Sequence, residues 1–206
     1  MEPNGRGLPS EMKIAKIVSS NSHIAYIARV LDERDGVGVP TAEDYGFGRF
    51  VEMRCDAERV VGIIFDSRLV NPEYSFMSAR TAETPATGDL KSGLANEQKE
   101  LVWILLLGSI VDGVSEQRMP YRLVPAGCIV ETLGDEEIAR FHKGTGETMR
   151  MHYFPNLMAQ AGSLAIPLAK TIIEQLAPHC TDGDRQRLAV MSSSLAWKHT
   201  FGDIRF

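Results

Sequence analysis

The sequence predicts an α+β fold in which a small N-terminal β-barrel is followed by an α-helical C-terminal region. Residues 13–31 alternate apolar and polar side chains around a polar SSNS, a pattern typical of two antiparallel strands joined by a turn. Near the C-terminus the apolar residues instead recur at the spacing of one helix face: Leu164, Leu168, Ile172 and Leu176. The change of period separates a strand-rich part from a helix-rich part.

Further strands are predicted over Arg49–Met53 and Arg59–Asp66, joined by the polar CDAE. The VVGIIF run in the second of these is apolar enough to be buried on both faces, and Gly62 within it indicates a bulge or a tight bend. Four or five short strands favour a closed barrel, because closure removes unpaired edges. An open sheet covered by the later helices is the alternative.

Composition divides the chain into segments that we expect to be structural units. They are a flexible tail (1–11), a β-barrel domain (12–80), a small and polar linker (81–95), a helix with a barrel-completing strand (96–134) and an α-helical subdomain (135–206). In the fourth segment Asn96 is the expected N-cap of a helix that runs through LVWILLLGSIV to Gly113. An extended stretch over Tyr121–Thr132 is expected to return to the barrel.

Capping signals mark the predicted C-terminal helices. Thr132 and Asp135 have the spacing of a capping box ahead of a short helix over Asp135–His142. Thr181 and Asp184 have the same spacing ahead of a helix that reaches Trp197. Between them a helix is predicted over Ala161–Leu176, with a kink at Pro167.

Charge and composition argue against several function classes. A net charge of −5 disfavours direct binding of duplex nucleic acid, which depends on lysine and arginine at phosphates. The longest apolar run, Leu101–Ile110, is shorter than the roughly 20 residues of a membrane span, and the N-terminus lacks a secretory signal pattern. The cysteines are far apart and contain no CxxC pair: Cys55, Cys128 and Cys180. We therefore expect reduced thiols, no metal and a cytoplasmic protein without membrane contact.

A catalytic site is not predicted. HKGTGETMR resembles a phosphate-binding loop only superficially, because His142 and Glu147 occupy the positions where a Walker A loop needs glycine and lysine. No cofactor is expected, and we interpret the protein as a non-enzyme. The alternative is a hydrolase or nuclease accessory that uses His142, His152 and Glu147 in a site between barrel and helical tail.

The segment SRLVNPEYSFMSAR, residues 67–80, is a candidate interface where the chain leaves a buried strand. Arginine and aromatic side chains are frequent anchors of protein contacts. The candidate contact residues are Arg49, Arg68, Asn71, Tyr74 and Phe76. A lid over the barrel is the alternative interpretation of the same segment.

KIAKIVSSNSHIAYIARVLDE, EDYGFGRFVEM and ERVVGIIFDSRLVNPEYS together resemble the HAS-barrel, a module of HerA-type DNA-translocating ATPases and rotary ATP synthases. The resemblance covers about residues 12–80, and VPAGCIVETLGDEEIARF is similar to the barrel-closing segment of stand-alone members. In the ATPases this barrel precedes the motor domain and helps subunits pack into a ring. The resemblance implies an adaptor or assembly protein that docks onto a HerA-type ring ATPase in DNA processing, or that self-associates. A weak nucleic-acid-binding barrel is a further alternative.

Overall fold

A computed structural model of the protein describes residues 12–36, 38–55, 58–70, 99–146 and 148–201. Seven strands are found in these residues: β1 Lys13–Ser20, β2 Ala25–Val30, β3 Phe50–Cys55, β4 Glu58–Val70, β5 Lys99–Val111, β6 Val114–Glu116 and β7 Ile129–Thr132. The α-helices that follow are α1 Asp135–Lys143, α2 Phe154–Gln160, α3 Ala165–Leu176 and α4 Asp182–Phe201. The predicted tail (1–11) and linker (81–95) lie outside the described residues.

Six of the described strands close into a barrel. Neighbours follow the order β2-β1-β7-β3-β4-β5, and β5 pairs back onto β2 through Leu101–Leu105 and Ala25–Arg29. Every one of these pairings is antiparallel. The short β6 adds to the far end of β5. The predicted α+β fold, a barrel followed by helices, is therefore confirmed.

The predicted β1–β2 and β3–β4 pairs are both present as hairpins. Gly62 lies at a bulge, as its place in the VVGIIF run indicates. Val61 pairs with Gly108 and Gly62 with Leu106, so that β5 has one extra residue there. A Cβ atom on Gly62 would stand 2.7 Å from Ile104 Cγ2, and only glycine permits this approach of the two strands.

The helix predicted from Asn96 is wrong, since residues 99–111 form strand β5. This strand has β4 along one side, and β2 and then β6 along the other. Val102–Leu107 are buried without alternation because β5 is covered on both of its faces. A continuous apolar run of this kind has no period that distinguishes a strand from a buried helix. Gly113, predicted as the helix end, instead forms with Asp112 a two-residue turn with positive φ at both positions.

The predicted return to the barrel is confirmed by β7, which lies between β1 and β3. Its last residue is Thr132, so the prediction that Thr132 caps the next helix is wrong. The Thr132 hydroxyl instead accepts a hydrogen bond from the Met12 backbone N–H at 3.1 Å. Gly134 stands at the N-cap of α1 and has no side chain with which to cap it.

The C-terminal helices share one continuous hydrophobic core with the barrel. Leu168, Ile172 and Leu176 of the predicted stripe are buried, whereas Leu164 belongs to a 3-10 turn before α3. Pro167 therefore lies in the first turn of α3, where its missing N–H is not needed, rather than at a kink inside a longer helix. Thr181 and Asp184 hydrogen-bond each other as predicted for the cap of α4.

The helices pack on the outer face of the barrel. Alternate residues of β3 take opposite faces, and Phe50 makes an edge contact with His142 of α1. Val51 and Met53, which are fully buried, therefore point into the barrel. Among the described helices none has both the length and the hydropathy needed to span a bilayer.

Candidate interaction surface

The predicted contact residue Arg68 lies near the end of β4 and is exposed. Its Cζ atom stands 4.5 Å from the centre of the Trp103 ring, and its guanidinium pairs with Asp66 at 3.1 Å. Trp103 is the cross-strand partner of Asp66 on β5, so the three side chains share one face of the sheet. The stacked guanidinium is held in place while 62% of the Arg68 side chain remains accessible.

In the described part of the chain, the other predicted contact residues do not form an exposed surface with Arg68. Arg49, just before β3, is partly buried, and its Nε atom is buried with no hydrogen-bond partner among the described residues. Asn71, Tyr74 and Phe76 lie outside the described residues. The structure therefore places only Arg68 of this set on an exposed surface.

A second surface, which the sequence reasoning missed, lies between β6 and β7. We call residues 118–123 (RMPYRL) the exposed segment. Its apolar side chains are accessible to solvent at alternate positions, with exposed fractions of 52% for Met119, 93% for Tyr121 and 63% for Leu123. Tyrosine, methionine and arginine are enriched at protein interfaces, and this segment contains all three. The sequence signal for this surface is the alternation of Met119, Tyr121 and Leu123 with polar or proline neighbours.

The backbone of the exposed segment is anchored to the barrel near both ends. The Nε2 atom of His23 donates a hydrogen bond to the Pro120 carbonyl at 2.7 Å. The Val124 N–H donates to the hydroxyl of Tyr26, a fully buried residue of β2, at 3.1 Å. The apolar side chains therefore project from a backbone that is held in place.

Two further arginines of the barrel, Arg54 and Arg59, are neutralised by carboxylates. Glu52 of β3 is fully buried, and Arg54 and Arg59 both bond to it. Arg59 also bonds to Glu137 of α1, and Arg54 lies 3.3 Å from Glu131 of β7. Burial alone would lower the pKa of Arg59, but the hydrogen bonds to Glu137 and Glu52 raise it above its usual range. Arg59 therefore ties the barrel to α1, and both arginines are paired with carboxylates rather than forming a basic patch.

The histidines of the enzyme hypothesis do not share a site. His142 is fully buried: Nδ1 donates to the Ile138 carbonyl and Nε2 accepts from the Tyr153 hydroxyl, both at 2.7 Å. Burial lowers the pKa of His142 to about 4, so the ring is neutral at physiological pH. The His152 side chain is exposed, and Glu147 lies outside the described residues. In the described part of the chain, no three His, Cys, Asp or Glu side chains are grouped as metal ligands.

Comparison with known families gives a match. A family model described as "Domain of unknown function (DUF8166)" matches residues 4–205. The chain belongs to this family. No curated protein matches the sequence. The family description assigns no activity.

In the described part of this DUF8166 domain, an open cavity of about 320 Å³ lies between α1 and the end of α3. Its lining residues are Asp135, Ile138, Gln175, Pro178 and His179. The Gln175 side-chain amide already donates to the Gly48 carbonyl at 2.8 Å, so it joins α3 to the loop before β3. Gln175 therefore serves the packing of helix on barrel.

Proposed function

We propose that this protein is a non-catalytic adaptor or assembly protein of the cytoplasm that docks onto a ring ATPase of the HerA type in DNA processing. The observation that carries the proposal is the exposed segment, in which apolar and arginine side chains stand outward on an anchored backbone. The closed barrel beneath it is the kind of module that the resemblance to the HAS-barrel implies. In ring ATPases that module contributes to subunit packing rather than to hydrolysis.

The anchoring of the exposed segment favours binding. A loop that becomes ordered only on contact loses conformational entropy at that moment, and this loss weakens the complex. Here His23 and Tyr26 hold the backbone of the segment before any partner arrives. Tyr121, 93% exposed, is the natural central anchor, because a tyrosine buries a large area and loses few rotamers on binding.

Arg68 supports a second contact. Its guanidinium is stacked on Trp103 and still largely accessible, so it can pair with a carboxylate of the partner without first being ordered. Asn71, Tyr74 and Phe76 follow it in the chain and remain candidate contacts of the same interface. Arg49, which is partly buried, is a further candidate contact.

The test is light scattering of the full chain, alone and mixed with the ring ATPase encoded nearest to it. In the mixture we expect a complex of defined mass that is larger than either protein alone. Tyr121→Ser combined with Leu123→Ser should weaken it about 30-fold, the loss expected for a hot spot of about 2 kcal/mol. Val190→Ser is the control, because Val190 is an apolar residue of α4 whose exposed fraction (66%) is close to that of Leu123.

The outcomes separate the parts of the proposal. If no complex forms with the folded wild-type chain, the adaptor function is wrong. If the complex forms and the double variant binds as well as the control, the exposed segment is not the docking site. A larger mass for the chain alone would indicate that the partner is a second copy of the chain.

A further inference from the structure

The thiols of Cys55 and Cys128 lie next to each other, although 73 positions separate them in the sequence. Their Sγ atoms are 3.5 Å apart. Cys55 is the last residue of β3, and Cys128 immediately precedes β7. These two strands are paired with Met53 opposite Val130, so continuation of the same antiparallel register brings Cys55 opposite Cys128. The proximity is thus fixed by the barrel and not by a chance contact of loops.

The backbone geometry at this position suits a disulfide. Directly opposed residues of antiparallel strands have Cα atoms about 4.5 or 5.5 Å apart, and a disulfide requires roughly 4.4–6.8 Å. Bond formation shortens the sulfur separation from 3.5 Å to about 2.05 Å, which rotation of the two side chains can supply. Cys128 is also held from the other side, since its carbonyl accepts a hydrogen bond from Ile17 of β1 at 2.9 Å.

The third cysteine lies in a different environment. Cys180 is buried between α3 and α4, and its thiol donates to the Leu176 carbonyl at 3.1 Å. Cys55 and Cys128 are only half-buried. A small reagent therefore has access to the cross-strand pair and not to Cys180, so selective chemistry at the pair is expected.

We propose that Cys55 and Cys128 form a reversible intrachain disulfide by exchange with a low-molecular-weight disulfide. One thiolate attacks a sulfur of the small disulfide, whose S–S bond breaks and releases one small thiolate that takes up a proton. The second cysteine thiolate then attacks the protein sulfur of the mixed disulfide and releases the second small thiol. Two protein thiols are oxidised by two electrons in total, and the small disulfide is reduced to two thiols.

The environment of the pair determines how the exchange depends on pH. Burial raises the pKa of the Cys128 thiol, while its hydrogen bond with Cys55 acts in the opposite direction. The thiolate fraction of Cys128 is therefore small at neutral pH and grows as the pH rises. Exchange should become faster with increasing pH, and the product links the end of β3 to the start of β7.

The test uses the full chain in mixtures of reduced and oxidised glutathione, quenched with acid, alkylated and analysed by peptide mass spectrometry. We expect a Cys55–Cys128 cross-linked peptide, with Cys180 still alkylated. Cys180→Ala should form the same cross-link. Cys55→Ser and Cys128→Ser should stop at the mixed disulfide with glutathione.

The same titration in a denaturing concentration of urea provides the comparison. In the folded chain the equilibrium constant for cross-link formation should be higher by about tenfold or more, because the barrel holds the two sulfurs together. An equal or lower constant in the folded chain would overturn the proposal. Cross-links that involve Cys180 as often as the pair, or only mixed disulfides in the wild-type chain, would overturn it as well.

Discussion

The guanidinium of Arg59 in β4 bonds to both carboxylate oxygens of Glu137 in α1, each at 2.8 Å. The same guanidinium bonds to Glu52, a carboxylate with no exposed surface. Arg59 thus joins the barrel to the first helix and also compensates a buried negative charge. Removing Arg59 breaks the ion pair with Glu137 and also takes a partner from the buried Glu52 carboxylate. Only the loss at Glu52 is expected to lower stability by a large amount.

Arg59→Met should lower the free energy of unfolding by about 3 kcal/mol, because the buried Glu52 carboxylate then keeps its ion pair with Arg54 but loses the one with Arg59. The measurement is the midpoint of urea denaturation. Arg140→Met is the matched control: Arg140 is 63% exposed and 4.0 Å from Glu137, so its loss should cost less than about 0.5 kcal/mol. Equal midpoints for the two variants would show that Glu52 does not depend on Arg59.

The buried His142 predicts a pH dependence of stability. Its pKa is lowered by burial to about 4, whereas an unfolded histidine has a pKa of about 6.5. Between these values the unfolded chain binds a proton that the folded chain does not bind, so stability is lost as the pH falls. We expect a loss of about 2 kcal/mol between about pH 7 and about pH 5.

His142→Gln should flatten that pH dependence, even if it lowers stability at neutral pH by disturbing the Tyr153 hydrogen bond. The measurement is the urea midpoint of both proteins across the same pH range. A wild-type midpoint that does not change down to about pH 5, or an equal slope in the variant, would contradict this account.

Tyr26 beneath the exposed segment and Tyr121 within it should differ in how much stability their substitution costs. Tyr26→Phe removes the acceptor of the Val124 N–H and should cost about 1–3 kcal/mol, because a buried donor loses its partner. Tyr121→Ser should change stability by less than about 0.5 kcal/mol, since that side chain is 93% exposed. Amide hydrogen exchange would detect faster exchange at Val124 in Tyr26→Phe alone; equal rates in both variants would argue against the anchor.

Gly108→Ala should destabilise the protein by about 3 kcal/mol or more. A Cβ atom there would stand 2.2 Å from the Glu116 carbonyl oxygen, and backbone cannot move aside as a side chain can. Gly183→Ala is the control, since nothing lies within 4 Å of its added Cβ atom and alanine favours the first turn of α4. Thermal unfolding should separate the two variants clearly; a stable Gly108→Ala protein would mean that β6 moves away from β5.

The elements with a clear period or a capping pair could be predicted from the sequence. The β1–β2 pair, the bulge at Gly62 and the cap formed by Thr181 and Asp184 all rest on local patterns, and all are present. Strand β5 could not be assigned from its apolar run, because burial on both faces removes the alternation. Its flanking Asp112–Gly113, a common hairpin dipeptide, was the local signal that pointed to a strand.

Side-chain contacts between segments that are distant in the sequence could not be predicted from it. Cys55 and Cys128 appeared as widely separated thiols, and only the register of β3 against β7 brings them together. His142 appeared as a candidate catalytic group, although its helix position directs it at Tyr153 in the core. The exposed segment was assigned in part to a strand, since its alternation is that of a strand.

The place of β7 in the barrel determines when the chain can fold. The first hairpin, β1–β2, gains its neighbours only from β5 and β7, which are synthesised after residue 98. Until residue 132 has left the ribosome, β1 and β3 each present an open edge to other chains. A fragment that ends before β7 would leave both of these edges without their native partner, so the barrel closes only when the last four-residue strand has been made.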